Sequence, residues 1–183
     1  MKGVVFTEFL EMVEDRFSAE MADRIIESSD LPSHGAYTSL GTYDHAEMVR
    51  LVSQLSAATG VAPPVLIHAF GKYLFSRFTA LYPRAFDGVD SSYALLEKIE
   101  GTIHVEVRKL YPDAELPRFE CNTPEPGRLT MIYRSPRGFA DLAGGLIDGC
   151  IEHYGEKIEV RKEDLSDGHG THVRFSLIQQ DRP

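Results

Sequence analysis

The sequence predicts an α+β fold in which helices come first and a small antiparallel sheet carrying one helix follows. Three observations predict it. Apolar residues recur at three- and four-residue spacing as far as Leu110. Beyond Pro112 they give way to short runs bounded by Gly, Pro and Asn, the mark of strands and turns. Between Phe139 and Tyr154 the helical stripe returns once. With 183 residues, 43% of them hydrophobic, one domain over 1–183 is expected. A chain of that size buries about 70% of its unfolded surface, enough for a core and a pocket.

Phe6, Phe9, Leu10, Val13 and Phe17 make the first stripe, and Met21 with Ile25-Ile26 mark a second helix from Ala19 to about Glu27. Ser28 to Tyr43 holds Pro32, Ser33, Gly35 and Gly41 among polar residues, which predicts an irregular connection. Asp44 followed by Glu47 has the spacing of a capping box, and Met48, Leu51, Val52 and Leu55 carry a helix to Gly60 as its C′ residue. Pro63-Pro64 opens the next helix, whose face of Leu66, Ile67, Phe70, Leu74, Phe78 and Leu81 ends near Pro83. After a break at Asp87 to Ser92, the stripe from Leu95-Leu96 through Ile99, Ile103, Val107 and Leu110 predicts one helix stopped by Pro112, with His104 at its edge. Leu116–Cys121 and Arg128–Tyr133 read as strands around a turn at Thr123–Gly127. Ile158–Arg161 and Val173–Ile178 read as a second pair, with a helix from Phe139 to Tyr154 between the pairs.

Composition narrows the function. A net charge of −9, from 28 acidic against 19 basic residues, disfavours a groove that tracks phosphates, so no nucleic-acid partner is expected. Cys121 and Cys150 are the only cysteines, which excludes a disulfide framework and a four-cysteine zinc site. Met1-Lys2-Gly3-Val4-Val5-Phe6 meets Glu8, Glu11 and Glu14 at once, so it has no signal-peptide character, and no apolar run approaches the ~20 residues of a membrane span. A cytoplasmic protein without membrane attachment is expected. Nucleophile elbow, Walker A, dinucleotide fingerprint and HExxH motifs are all missing, which points away from an enzyme. His169 and His172 form an H-x-x-H pair beside Asp167, but Asp167-Gly168-His169-Gly170 is also a good turn signal.

Two features suggest a ligand. Tyr133, Ser135 and Arg137 alternate, so an extended segment would project two hydroxyls and a guanidinium to one side, a receptor suited to carboxylates. The two propionates of a haem match it, each charge-assisted bond contributing about 1.5–3 kcal/mol. A polar strand face turned to solvent fits the same spacing. His104, some thirty residues earlier in the chain, is a candidate iron ligand, although a lone histidine on a helix edge also serves as an ordinary hydrogen-bonded residue.

Tyr133-Arg134-Ser135-Pro136-Arg137 is the Y-x-S-x-R signature of bacterial haem nitric-oxide/oxygen-binding domains, the H-NOX family, similar to the sensor domain of soluble guanylate cyclase. The chain resembles that family from Met1-Lys2-Gly3 almost to its end, and His104 and Pro117 keep the family's thirteen-residue spacing between proximal histidine and porphyrin-contacting proline. The resemblance implies an N-terminal helical subdomain, a C-terminal subdomain with the sheet, and haem b between them. It implies His104 as the protein's only iron ligand, its second nitrogen donating to a backbone carbonyl or water. It implies a distal set of Val5, Phe9, Leu74, Phe78 and Leu142. Oxygen-binding members carry a distal tyrosine where this chain has Leu142, so a nitric-oxide sensor is expected rather than an oxygen or carbon monoxide sensor. Release of His104, relaxation of the haem against Pro117 and a shift of the N-terminal helices are the implied response. With no output module in 1–183, the expected partner is a separate protein, in similar systems a histidine kinase or a cyclic-di-GMP enzyme. The cysteine cluster that binds zinc or senses oxidation in some relatives is not present. A haem-free interaction module is the alternative from another class.

Overall fold

The computed structural model describes residues 1–180, so the last three residues of the expected domain lie outside the described residues. Helix α1 (Gly3–Arg16) buries Phe6, Phe9, Met12 and Val13. Its start is capped by the 29–43 connection, since Gly3 N–H donates to Gly41 O (2.8 Å) and Val4 N–H to Ser39 O (3.1 Å). Helix α2 (Ala19–Ser28) starts at Ser18, whose Oγ accepts from Met21 N–H (3.2 Å). The connection that follows is irregular as expected, apart from one bridge between Lys2 and Thr42.

Helix α3 (His45–Thr59) begins where Asp44 Oδ1 accepts from Ala46 N–H (2.9 Å) and ends at Gly60, whose φ of 74° only glycine adopts without strain. The capping box does not form. Glu47 is buried, and its carboxylate turns to the hydroxyls of Ser33 and Tyr37 (2.9 Å for the latter), which satisfy a buried charge that the helix end alone could not. Helix α4 (Pro63–Leu81) runs as expected and passes into a single 3₁₀ turn, Pro83–Phe86.

The helix expected from Leu95 to Leu110 is divided. Helix α5 (Ser92–Glu97) and helix α6 (His104–Leu110) flank a π turn, Ile99–Ile103. There the N–H groups of Ile103 and His104 reach five residues back, to Lys98 O (3.1 Å) and Ile99 O. One residue is thereby inserted without disrupting the apolar stripe.

Strands β1 (Arg118–Glu125), β2 (Arg128–Arg134), β3 (Ile158–Asp164) and β4 (His172–Gln179) form one antiparallel sheet in the order β1-β2-β4-β3. The two expected pairs are joined because β2 pairs with β4, Met131 opposite Phe175. The first turn is shorter than expected, only Pro126-Gly127, with an irregularity between Asn122 and Glu125. Leu129, Met131 and Tyr133 of β2 and Val173, Phe175 and Leu177 of β4 alternate inward against helix α7 (Ala140–His153). Among the described residues no helix is long and apolar enough to cross a membrane.

Two cores result: one within α1–α4, and one where α5 and α7 cover the sheet. Helices α4 and α7 join them. A Cβ at Gly145 would lie 2.0 Å from His68 O and 2.9 Å from Gly71 Cα, so the two backbones touch there. His68–Asp148 (2.9 Å) and Lys72–Glu152 (2.6 Å) flank the contact. Helix α1 is strapped to α4 by Arg77, which donates to the buried Glu8 (2.5 Å) and to Glu11 (3.0 Å), and by Tyr73 donating to Asp15 (2.9 Å). Replacing Gly145 by Ala gains about 1 kcal/mol of helix propensity but forces backbone apart, which costs about 3 kcal/mol. Urea unfolding of Gly145→Ala is expected to show the net loss, and unchanged stability would mean that the helices part freely.

Candidate functional site

Between the two cores lies a cavity of about 350 Å³, within the size range of small-molecule and cofactor sites. Helices α1, α4 and α7 contribute Val5, Leu74, Phe78 and Leu142 to its lining, and the α5–α6 run contributes Leu95, Ile99, Ile103 and His104. Pro117 enters from the approach to β1 and Phe119 from its first residues, and Tyr133, Ser135 and Arg137 from the end of β2 and just beyond it. Nine of the ten residues singled out from the sequence therefore share one cavity. The exception is Phe9, which is fully buried one layer behind, its ring edge-on to Phe70 at 5.2 Å.

His104 is the first residue of α6 and is buried rather than set on the helix edge. Its Nδ1 lies 2.9 Å from Glu100 Oε1, and that oxygen also accepts from Phe119 N–H at 2.9 Å. The partner is thus a carboxylate, not the expected backbone carbonyl or water. Because a carboxylate only accepts, the proton of the neutral ring is assigned to Nδ1. Nε2 has no hydrogen-bond partner among the described residues and retains its lone pair at the cavity wall. Burial depresses the His104 pKa, and the pairing with Glu100 only partly opposes it, which favours the neutral, metal-ligating form.

Tyr133, Ser135 and Arg137 do converge, though not as neighbours on one strand face. Strand β2 ends at Arg134, and Pro136-Arg137 turn, so that Arg137 N–H donates to Ser135 Oγ (3.3 Å). Pro136 interrupts the ladder because it has no N–H to offer. Burial raises the pKa of the Tyr133 phenol, which keeps it a donor. The Arg137 guanidinium donates to Glu115 O (2.9 Å) and to the Glu115 carboxylate, an exposed side chain. At the same rim Lys2 Nζ binds Thr42 Oγ1 (2.7 Å) and Asp113 (3.1 Å), tying the first residues to the approach to β1.

Sequence reasoning missed Glu100, Glu115 and the Lys2–Asp113 tie. The four-residue spacing of Glu100 and His104 was a readable signal. The other two join segments far apart in the chain. His169 lies within the β3–β4 turn, in which Asp167, Gly168 and Gly170 have positive φ, His172 is the first residue of β4, and no group of three or more potential metal ligands occurs among the described residues. Cys121 and Cys150 are free thiols.

These donors fit haem: an apolar cavity, one unpartnered imidazole nitrogen for a metal, and a cationic, hydroxyl-bearing end for carboxylates. In the haem-free protein the depressed pKa of His104 means that folding disfavours its protonation. Stability from this group is full above the unfolded-chain value of about 6.5 and declines as pH falls below it. Urea unfolding of haem-free protein between pH 8 and 5 is expected to show this slope, and His104→Gln is expected to flatten it.

No curated protein matches the chain. Solved structures do. The Fe(II) unliganded H-NOX protein from K. algicida is 41% identical, superposes with a TM-score of 0.93, and the match covers 100% of this chain and 98% of that one. The H-NOX from Shewanella woodyi, bound to IWP-051 in the Fe(II)CO state, is 40% identical with a TM-score of 0.85, covering 100% and 96%. An H-NOX protein from S. oneidensis in the Fe(II)NO state has a TM-score of 0.91 at 24% identity, covering 99% and 100%, a likeness of fold. The family model described as haem-NO-binding matches residues 2–162. A match over that much of the sequence, on a fold that brings the Y-x-S-x-R residues and His104 to one cavity, shows that the chain belongs to the haem-NO-binding, or H-NOX, family.

Proposed function

We propose that residues 1–183 form a single sensor domain that binds haem b and detects nitric oxide. The observation that carries this reading is His104, a buried neutral imidazole with a free Nε2 on the wall of an apolar cavity. When bound, the haem supplies a ferrous iron that takes a diatomic gas. His104 Nε2 would hold that iron. Tyr133, Ser135 and Arg137 would hold the propionates, the Arg137 guanidinium being positioned at the rim by its bonds to Glu115. Pro117 would seat against the porphyrin. Val5, Leu74, Phe78 and Leu142 would cover the gas side, with Phe9 supporting them from behind.

Selectivity follows from what these four side chains lack. None carries an O–H or N–H, so a polar oxygen ligand beside them would forgo a hydrogen bond of ~0.5–1.5 kcal/mol or more. Nitric oxide binds ferrous iron tightly without one. Tyr82 and Tyr111 also line the cavity, but their hydroxyls lie 3.4 Å from each other, within reach of mutual pairing. On nitric oxide binding His104 would release the iron, and the N-terminal helices would shift relative to the sheet, a two-state element biased by ligand. The domain would act as a cytoplasmic sensor rather than an enzyme. It would signal to a separate protein, a histidine kinase or a cyclic-di-GMP enzyme, as its family likeness suggests.

The test is the anaerobic absorption spectrum of the ferrous protein before and after nitric oxide, then in air. A Soret band that shifts with nitric oxide and no stable adduct in air is the expected result, and His104→Gly is expected to hold haem only with added imidazole. A stable oxygen adduct would overturn the selectivity and direct attention to Tyr82. Failure to bind haem would favour the interaction module. Leu142→Tyr, which places a phenol on the lining, is expected to confer measurable oxygen binding. Unaltered oxygen affinity in that variant would sink the apolar-pocket account.

A further inference from the structure

We propose that Glu100 is the positioning residue of His104, fixing the tautomer that presents Nε2 to the metal and tethering the ring to the start of the sheet. The inference rests on His104 being the iron ligand. Its basis is one carboxylate oxygen, Glu100 Oε1, that accepts from both His104 Nδ1 and Phe119 N–H, each at 2.9 Å. A structural ion pair would need only the first contact. The second joins the imidazole to a backbone position two residues after Pro117, so histidine and proline share one anchor.

The local backbone supports the assignment. Glu100 lies inside the π turn, the only π segment among the described residues, and His104 is the first residue beyond it. Such turns are rare and concentrate at functional sites, because the inserted residue re-aims the side chains around it. Within the turn Ile99 and Ile103 pack against the second core, while a Cβ at Gly101 would meet open space, so Glu100 and Gly101 form its uncrowded side. The carboxylate, about one-third exposed, is close enough to polarise Nδ1–H and raise the electron density at Nε2. A more basic imidazole holds the metal more firmly. Glu100 would thereby set how strong a pull from the opposite side of the haem is needed to free His104.

The experiment uses the full chain loaded with ferrous haem, without oxygen. Resonance Raman spectra of wild type, Glu100→Gln and Glu100→Ala report the iron–histidine stretch, and transfer of haem to an acceptor globin reports its rate of loss. Glutamine keeps the size and the acceptor for Phe119 N–H but removes the charge. It is expected to lower the stretching frequency and to speed haem loss roughly tenfold or more, with the urea midpoint of the haem-free protein unchanged. Alanine is expected to lower the frequency further and broaden the band. A frequency and loss rate equal to wild type in Glu100→Gln would overturn the proposal while leaving His104 as the ligand. A wild-type protein with haem but no iron–histidine band would overturn both readings together, and His104→Gly would then leave the spectrum unchanged.

Discussion

Backbone contact between α4 and α7 constrains everything the cavity needs. Where Gly71 meets Gly145 no side chain separates the helices, so the two cores are pinned to each other along one line. Away from that line they diverge, and the space between them is walled by both. A cavity of about 350 Å³ in a chain this small is costly if left empty, since its lining forgoes the dispersion contacts of a packed interior. Filling it with a flat apolar group would restore those contacts. Binding such a group and stabilising the fold are therefore linked.

The polar groups at the site are few, and each is held in a state suited to one task. Burial lowers the His104 pKa and raises that of Tyr133, which favours the neutral form of both. Of the two arginines in the Y-x-S-x-R segment only Arg137 lines the cavity, and its guanidinium is held by Glu115. Among the described residues no cluster of carboxylates or cysteines competes for a metal, so a single imidazole nitrogen is the feature that would fix where an iron sits.

Much of this was legible in the sequence, and what was not has physical reasons. The stripes from Phe6 to Leu81 located four helices because each buries one face against the others. The π turn escaped notice because Leu95, Ile99, Ile103 and Leu110 stay apolar through the insertion, and periodicity reads only polarity. The union of β2 with β4 depends on strands some forty residues apart, which no local pattern encodes. His104 and the Tyr133–Ser135–Arg137 turn could be paired only through the family resemblance, because the chain separation between them says nothing of distance. Phe9, expected in the distal lining from the family resemblance, falls one layer behind, where Phe70 packs against its ring.

The strap between α1 and α4 bears on how force would travel. Glu8 is almost wholly buried, and Arg77 is its partner. Separating them would strand a charge in the interior, a far larger penalty than breaking an exposed pair. The first helix therefore cannot tilt by itself. A push on Val5 from inside the cavity would drag α4 with it, and the outer surface would move as a plate rather than ripple as a loop. A plate shifts many contact points in register, so even a small displacement can change how well a broad, rigid surface fits against it.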